Sequence, residues 1–418
     1  MKLAKLSLIL VAAAAVVFGL SGTGFSFHDG GVADCVGCHQ MHNAPGANLL
    51  IASDQSSVCL SCHGTSGQIS YHVLSPDADM PAGTPPVNEG PGGDFGWLHK
   101  TYIFTIAGSL ASTDNGQTHG HNIIAAGYIG GAYTVDPDNP TAPGGTFSSA
   151  LLACTSCHDQ HGKGRWTVAG TYSKTSGAIY TSGSYGSIPS TFGPTGELLS
   201  TGVYRLLRAA EAVDGVTFPA LPPVAVVPST YNRSEFYAQT RTAYGSGMSD
   251  FCATCHPDMH STAGILRHPT GQVMSGAVQG NYNSYVKTGA MTGSPSTSYL
   301  SLVPFEEGLS YSTANIATLK AHAQTNDSVL NGPGSGTVPA TATIMCLSCH
   351  RAHASGWASM FRWNKDVTTI TVAGAYPTGN DAGWGRTLAE VSKAYYDKNV
   401  TKFAAFQRTL CNKCHGLD

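Results

Sequence analysis

Every cysteine in this chain belongs to a Cys-x-x-Cys-His pentapeptide, and that pattern constrains the fold more than any other feature. The six copies consume all 12 cysteines. They are Cys35-Val-Gly-Cys38-His39, Cys59-Leu-Ser-Cys62-His63, Cys154-Thr-Ser-Cys157-His158, Cys252-Ala-Thr-Cys255-His256, Cys346-Leu-Ser-Cys349-His350 and Cys411-Asn-Lys-Cys414-His415. Two thiols three residues apart can add to the two vinyl groups of one porphyrin, and the following histidine is then held under the iron as its proximal ligand. The pattern therefore predicts six covalently attached haem c groups. The twelve cysteines are the thioether donors, and His39, His63, His158, His256, His350 and His415 are the proximal iron ligands. Four-cysteine zinc sites would leave a histidine after every motif unexplained. A disulfide scaffold does not repeat a two-residue spacing, and a thioredoxin-like centre needs one such motif.

Residues 1–26 read as a secretory signal peptide. Lys2 and Lys5 precede a largely apolar run over 6–20, which is too short for a membrane span of about 20 residues. No later stretch is long and apolar enough to cross a bilayer, so residues 27–418 are expected to be exported as one hexahaem unit. Only 11 % of residues are charged, against a usual share of about 25 %. Removing the signal takes away two lysines and moves the formal charge from −3 to −5. Without a basic stripe, nucleic acid is excluded as a partner.

Helical periodicity is confined to 234–243, 314–323 and 386–413, the last broken near Asp397. Tracts such as 178–196 and 332–341 are rich in turn residues and show no sustained period. The expected fold is mostly irregular coil with a few short helices: an elongated multihaem cytochrome c wrapped around a continuous chain of haems, which supply the apolar bulk. Successive first cysteines are 24, 95, 98, 94 and 65 residues apart. The short first interval brings sites 1 and 2 close together. The three similar intervals do not enclose matching sequence, so no repeat is read at that period.

Eleven histidines remain beyond the proximal six. His42, His161 and His353 each lie three residues past a proximal histidine, clear of that haem's edge and able to reach a neighbouring iron. His260 is one residue further along its motif. His72, His121 and His268 complete the set of expected distal ligands, with His260 the alternative to His72. His28, His99 and His119 read as surface or hydrogen-bonding residues, and His322 as a helix residue that caps or packs. Two imidazoles saturate an iron and, without a Met ligand, keep its potential low. Such sites move electrons and leave no position for substrate, so the chain is expected not to be an enzyme. Asp136-Pro-Asp138-Asn139 reads as a turn in preference to a calcium site.

Beyond the haem motifs, the chain resembles the OmcS-type outer-surface hexahaem cytochromes of metal-reducing bacteria. The matching stretches include Phe27-His28, Asp79-Met-Pro-Ala-Gly-Thr84, Pro91-Gly-Gly-Asp-Phe-Gly-Trp97, Gly120-His-Asn-Ile123, Pro228-Ser-Thr-Tyr-Asn-Arg233, Pro304-Phe-Glu-Glu-Gly308 and Arg351-Ala-His-Ala-Ser-Gly356. The resemblance implies bis-histidine ligation throughout and haem pairs alternately stacked and T-shaped. It also implies a homopolymer in which His42 ligates the haem of Cys346–His350 in the adjacent subunit. The segment 43–58 is shorter than its counterpart in that family. The implied function is a filamentous, extracellular or outer-surface electron conduit. Its electrons come from other c-type cytochromes and pass to extracellular acceptors such as insoluble metal oxides. The alternatives are a monomeric periplasmic or surface shuttle and, third, a multihaem reductase.

Overall fold

The computed structural model describes residues 35–64, 72–106, 111–128, 134–160, 165–166, 172–173, 207–226, 242–260, 268–285, 288, 303–310, 312–323, 338–380 and 383–416. The signal segment, His28, His161 and the tract 178–196 lie outside these. Most of the described backbone is irregular, held by turns and isolated bridges. The 50 glycines and 22 prolines account for this, because glycine weakens helix and strand interiors and proline removes a backbone donor.

The regular elements are short. Among the described residues the longest helix is Thr313–His322, where the apolar period over 314–323 predicts one; Ser312 caps it by accepting the Asn315 N–H at 3.1 Å. The C-terminal period breaks where expected, but beyond the break the expected helix is reduced to a single turn, Val400–Lys402, and the short Asn412–His415. Helix Leu388–Ala394 opens with a reciprocal Thr387–Glu390 capping box. It ends before Tyr396 and Asp397, whose φ values of 55° and 50° are left-handed and incompatible with continuing it. Of the helix expected over 234–243 only the last two residues are described, and Ala243 belongs instead to strand Ala243–Tyr244, paired antiparallel with Ala225–Val226. Three further two-stranded ribbons pair Tyr102–Thr105 with Ala111–Asp114, Arg165–Trp166 with Tyr172–Ser173, and Ala212–Val213 with Val216–Thr217.

Apolar side chains gather in three clusters, each with motif cysteines at its edge. Phe218, Val224, Phe251 and Leu319 pack beside Cys157 and Cys252. Trp97, Trp357, Trp363 and Tyr395 pack beside Cys349, Cys411 and Cys414. Leu60, Leu74, Phe95 and Leu98 pack beside Cys154. The attachment points thus border the core, as a core completed by porphyrin requires. Polar ties fix the irregular stretches between them. Asp94, with no exposed surface, accepts from Ser75 N and Oγ, Asn88 N and Nδ2, and Gly96 N at 2.6–3.0 Å. A buried carboxylate satisfied this fully holds three strands of coil in one arrangement.

Candidate haem sites

The first, third and fifth motifs share a backbone cradle. The proximal histidine pairs antiparallel with a returning segment: His39 with Leu50, His158 with Leu207, and His350 with Phe361. The next residue of that segment donates its N–H to the carbonyl of the second cysteine, Ile51 to Cys38 at 3.1 Å, Arg208 to Cys157 at 3.0 Å and Arg362 to Cys349 at 2.7 Å. At sites 1 and 5 the likeness goes further. His39 Nδ1 donates to the Asn48 carbonyl at 2.9 Å and His350 Nδ1 to the Ser359 carbonyl at 2.7 Å. Both acceptors begin left-handed pairs, Asn48–Leu49 at φ 56° and 60° and Ser359–Met360 at 56° and 59°. Donation from Nδ1 fixes the tautomer and makes Nε2 the nitrogen that faces iron. The segment 43–58, expected to be short for the family, closes this cradle through Leu50 and Ile51.

The even-numbered motifs are carried on helical turns. Site 2 ends helix Gln55–His63, capped by Asp54 accepting the Ser57 N–H at 2.8 Å. Site 4 starts within helix Met248–Ala253, which carries Cys252, and site 6 lies on Asn412–His415. His256 Nδ1 donates to the Pro143 carbonyl at 2.8 Å, again leaving Nε2 for a metal.

Three proximal histidines face a second imidazole across a gap of one size. His158 and His353 have ring centroids 6.4 Å apart, His256 and His121 6.2 Å, and His415 and His268 6.2 Å. Two imidazoles on one metal, each with a metal–nitrogen bond of about 2 Å as at zinc and a ring radius of about 1.1 Å, place their centroids about 6.3 Å apart. The three pairs therefore have the spacing of axial ligands at sites 3, 4 and 6. His121 Nδ1 donates to the Ala352 carbonyl at 2.7 Å. Burial, then neighbouring His256, pushes His121 down to about 4; burial, then neighbouring His158, pushes His353 down to about 3. Both are neutral imidazoles at ordinary pH, the form that binds metal. One backbone junction holds the two together, since His121 N–H donates to the His353 carbonyl at 2.9 Å and Gly120 pairs with Ala354.

The remaining histidines divide by what their nitrogens meet. His72 has a buried Nε2 without a hydrogen-bond partner, the condition of a ligand nitrogen, and Val73 N–H to the His63 carbonyl at 2.8 Å seats it beside motif 2. His42 is exposed. His260 is set aside as a ligand, because Nδ1 bonds Thr270 Oγ1 at 3.1 Å and Nε2 bonds Asp250 Oδ1 at 3.0 Å. His119 is not at the surface; it is fully buried, bonding Asp114 Oδ1 at 3.0 Å, while His99 bonds Asp77. His322 does more than cap its helix, since Nδ1 bonds the buried Glu307 carboxylate at 2.6 Å. The Asp136 carboxylate accepts from Asp138 N, Asn139 N, Asn139 Nδ2 and Asn122 Nδ2, which makes the 136–139 segment a turn. Sequence reasoning missed Gly92, which a Cβ would drive to 2.6 Å from His353 Nδ1; a glycine in a Pro-Gly-Gly turn gives no signal that a ligand lies against it.

The sites adjoin in chain order. Cys59 lies beside Cys154, and Cys252 beside Cys346. Cys38 lies within electrostatic range of Cys59, Cys157 of Cys255, and Cys349 of Cys411 and Cys414. Paired thiols, a fixed proximal imidazole and a second imidazole at axial spacing fit haem c, which supplies a one-electron couple when bound.

Comparisons with known proteins agree with this donor set. The family described as doubled CXXCH motif matches residues 28–68. The chain is 43 % identical over 449 aligned residues to the C-type cytochrome OmcS of Geobacter sulfurreducens, covering 99 % of each. The solved outer membrane cytochrome S filament from that organism superposes with a TM-score of 0.79 at 41 % identity, covering 94 % of this chain and 100 % of the other. A cryo-EM structure of OmcS nanowires gives the same TM-score at 42 % identity and the same coverage. Identity of this extent along 99 % of both chains means that the chain belongs to the OmcS family of c-type cytochromes.

Proposed function

We propose that residues 27–418 form one exported hexahaem unit that polymerises into an extracellular filament carrying respiratory electrons. They enter from other c-type cytochromes and leave to extracellular acceptors such as insoluble metal oxides. The proposed distal ligands are His42, His72, His121, His161, His268 and His353. With each iron held by two imidazoles, the protein's task is to space, insulate and tune the haems, and it performs no bond chemistry.

The observation that carries the polymer is a rule among the odd-numbered sites. His353 follows motif 5 by three residues and faces His158, the proximal ligand of site 3. The same step back from motif 3 assigns His161 to site 1. From motif 1 the same step leads His42 out of the odd-numbered series of this copy. The family resemblance implies the partner for His42, site 5 of an adjacent copy, whose cradle matches that of site 1. His42 is exposed, as this requires, and Val36 at 79 % and Met41 at 82 % exposure leave apolar surface around it for a subunit contact. The solved relatives are a filament and nanowires.

Electron microscopy of protein sheared from cells, beside a His42→Ala variant, tests the reading. Filaments in the wild type that are lost in the variant are expected. Discrete particles in both would leave a soluble electron shuttle with another role for His42.

A further inference from the structure

The three odd-numbered cradles share two backbone contacts, but at one matching position their side chains differ in charge. Ile51, Arg208 and Arg362 occupy the same position, each donating its N–H to the second cysteine's carbonyl. The two arginines make a second, matching contact: Arg208 Nε donates to the Thr155 carbonyl at 2.6 Å and Arg362 Nε to the Leu347 carbonyl at 2.7 Å. Thr155 and Leu347 are the equivalent first spacer residues of their motifs. Each guanidinium is thereby clamped against the loop between the two thioether cysteines, and both are buried, at 8 % and 1 % exposure.

We propose that Arg208 and Arg362 are tuning residues that raise the reduction potentials of sites 3 and 5. The inference rests on the haem-chain reading above. Reduction adds one electron and no proton to a site, so its negative charge grows by one. A fixed positive charge in a poorly screened setting stabilises that product over the oxidised form. Ile51 offers site 1 no such charge. Glu211 bonds Arg208 Nη1 at 2.7 Å and offsets part of its field.

The test is an optical and EPR-monitored redox titration of the holoprotein, with haem count and low-spin signals recorded for every variant. Arg362→Gln should lower one of the six one-electron components, and Arg362→Lys, which keeps the charge, should leave it near the wild-type value. Glu211→Gln leaves the clamp intact and should raise a different component. The inference is overturned if no component moves, if Gln and Lys move it alike, or if all components shift together. Loss of haem or appearance of high-spin iron in the wild-type protein would instead refute the bis-histidine reading beneath it.

Discussion

Replacing Asp114 with Asn strips the Arg386 guanidinium of its counter-charge in a place where water cannot substitute. Their side chains are 6 % and 0 % exposed. Arg386 also donates to the Gly356 carbonyl at 2.8 Å and lies over the Tyr102 and Trp357 rings at 4.1 and 4.6 Å. Burial alone pushes the Asp114 carboxyl up, but the His119 hydrogen bond and Arg386 reverse this and hold it at about 2, against an ordinary value of 3.8. Burial lowers His119 too, so it acts as a neutral donor and the positive charge is that of Arg386. The displacement from 3.8 to about 2 corresponds to about 2.4 kcal/mol of stability. Because the carboxyl is depressed on folding, this stability is present above pH 3.8 and lost as pH falls through about 2. Removing one partner of a buried pair outright costs about 3–5 kcal/mol. Asn resembles the protonated acid in shape, so Asp114→Asn should sit near the lower figure and Arg386→Ala near the higher. Guanidinium unfolding of the holoprotein followed by far-UV circular dichroism, repeated between pH 7 and pH 3, measures both. A loss for Asp114→Asn below about 0.5 kcal/mol at pH 7, or one that does not shrink on acidification, would refute the reasoning. The cluster also backs two proposed ligands, because the His119 carbonyl accepts the Ser355 N–H at 2.9 Å beside the His121–His353 junction. Low-spin EPR intensity from sites 3 and 4 should weaken in the same variants.

Gly92→Ala should displace the His353 ring, since the new Cβ would lie 2.6 Å from Nδ1 and 2.8 Å from Cε1; carbon monoxide binding at one iron after reduction is expected. Gly276→Ala, where a Cβ meets nothing within 4 Å, is the control and should bind none. Burial holds the Glu306 carboxyl at about 7, against 4.5 ordinarily. A raised acid supports the fold below pH 4.5, and that support is lost as pH rises through about 7. Glu306→Gln should therefore match the wild type at pH 4.5 and exceed it by about 3 kcal/mol at pH 8.5, read from denaturant midpoints; equal stability at the higher pH would contradict a buried charge there.

Haem attachment was legible because it is local. Two thiols and a histidine within five residues specify the porphyrin, its two covalent bonds and its first axial ligand without reference to the rest of the chain. The break near Asp397 was legible for a similar reason, the loss of an apolar period. The opposing imidazoles are a different matter. His121 with His256, His268 with His415 and His158 with His353 are joined by no local spacing, and only the path of the irregular chain sets which rings face each other. Tertiary packing likewise gave His260 two protein partners, buried His119 beside a charged pair, and brought alternate motifs into a common cradle that no uniform interval reveals. The sequence by itself determined what the chain binds and where it is bound, since covalent chemistry acts within one turn of backbone. The tertiary structure decided which imidazoles face each other, because those rings come from distant segments that only folding brings together.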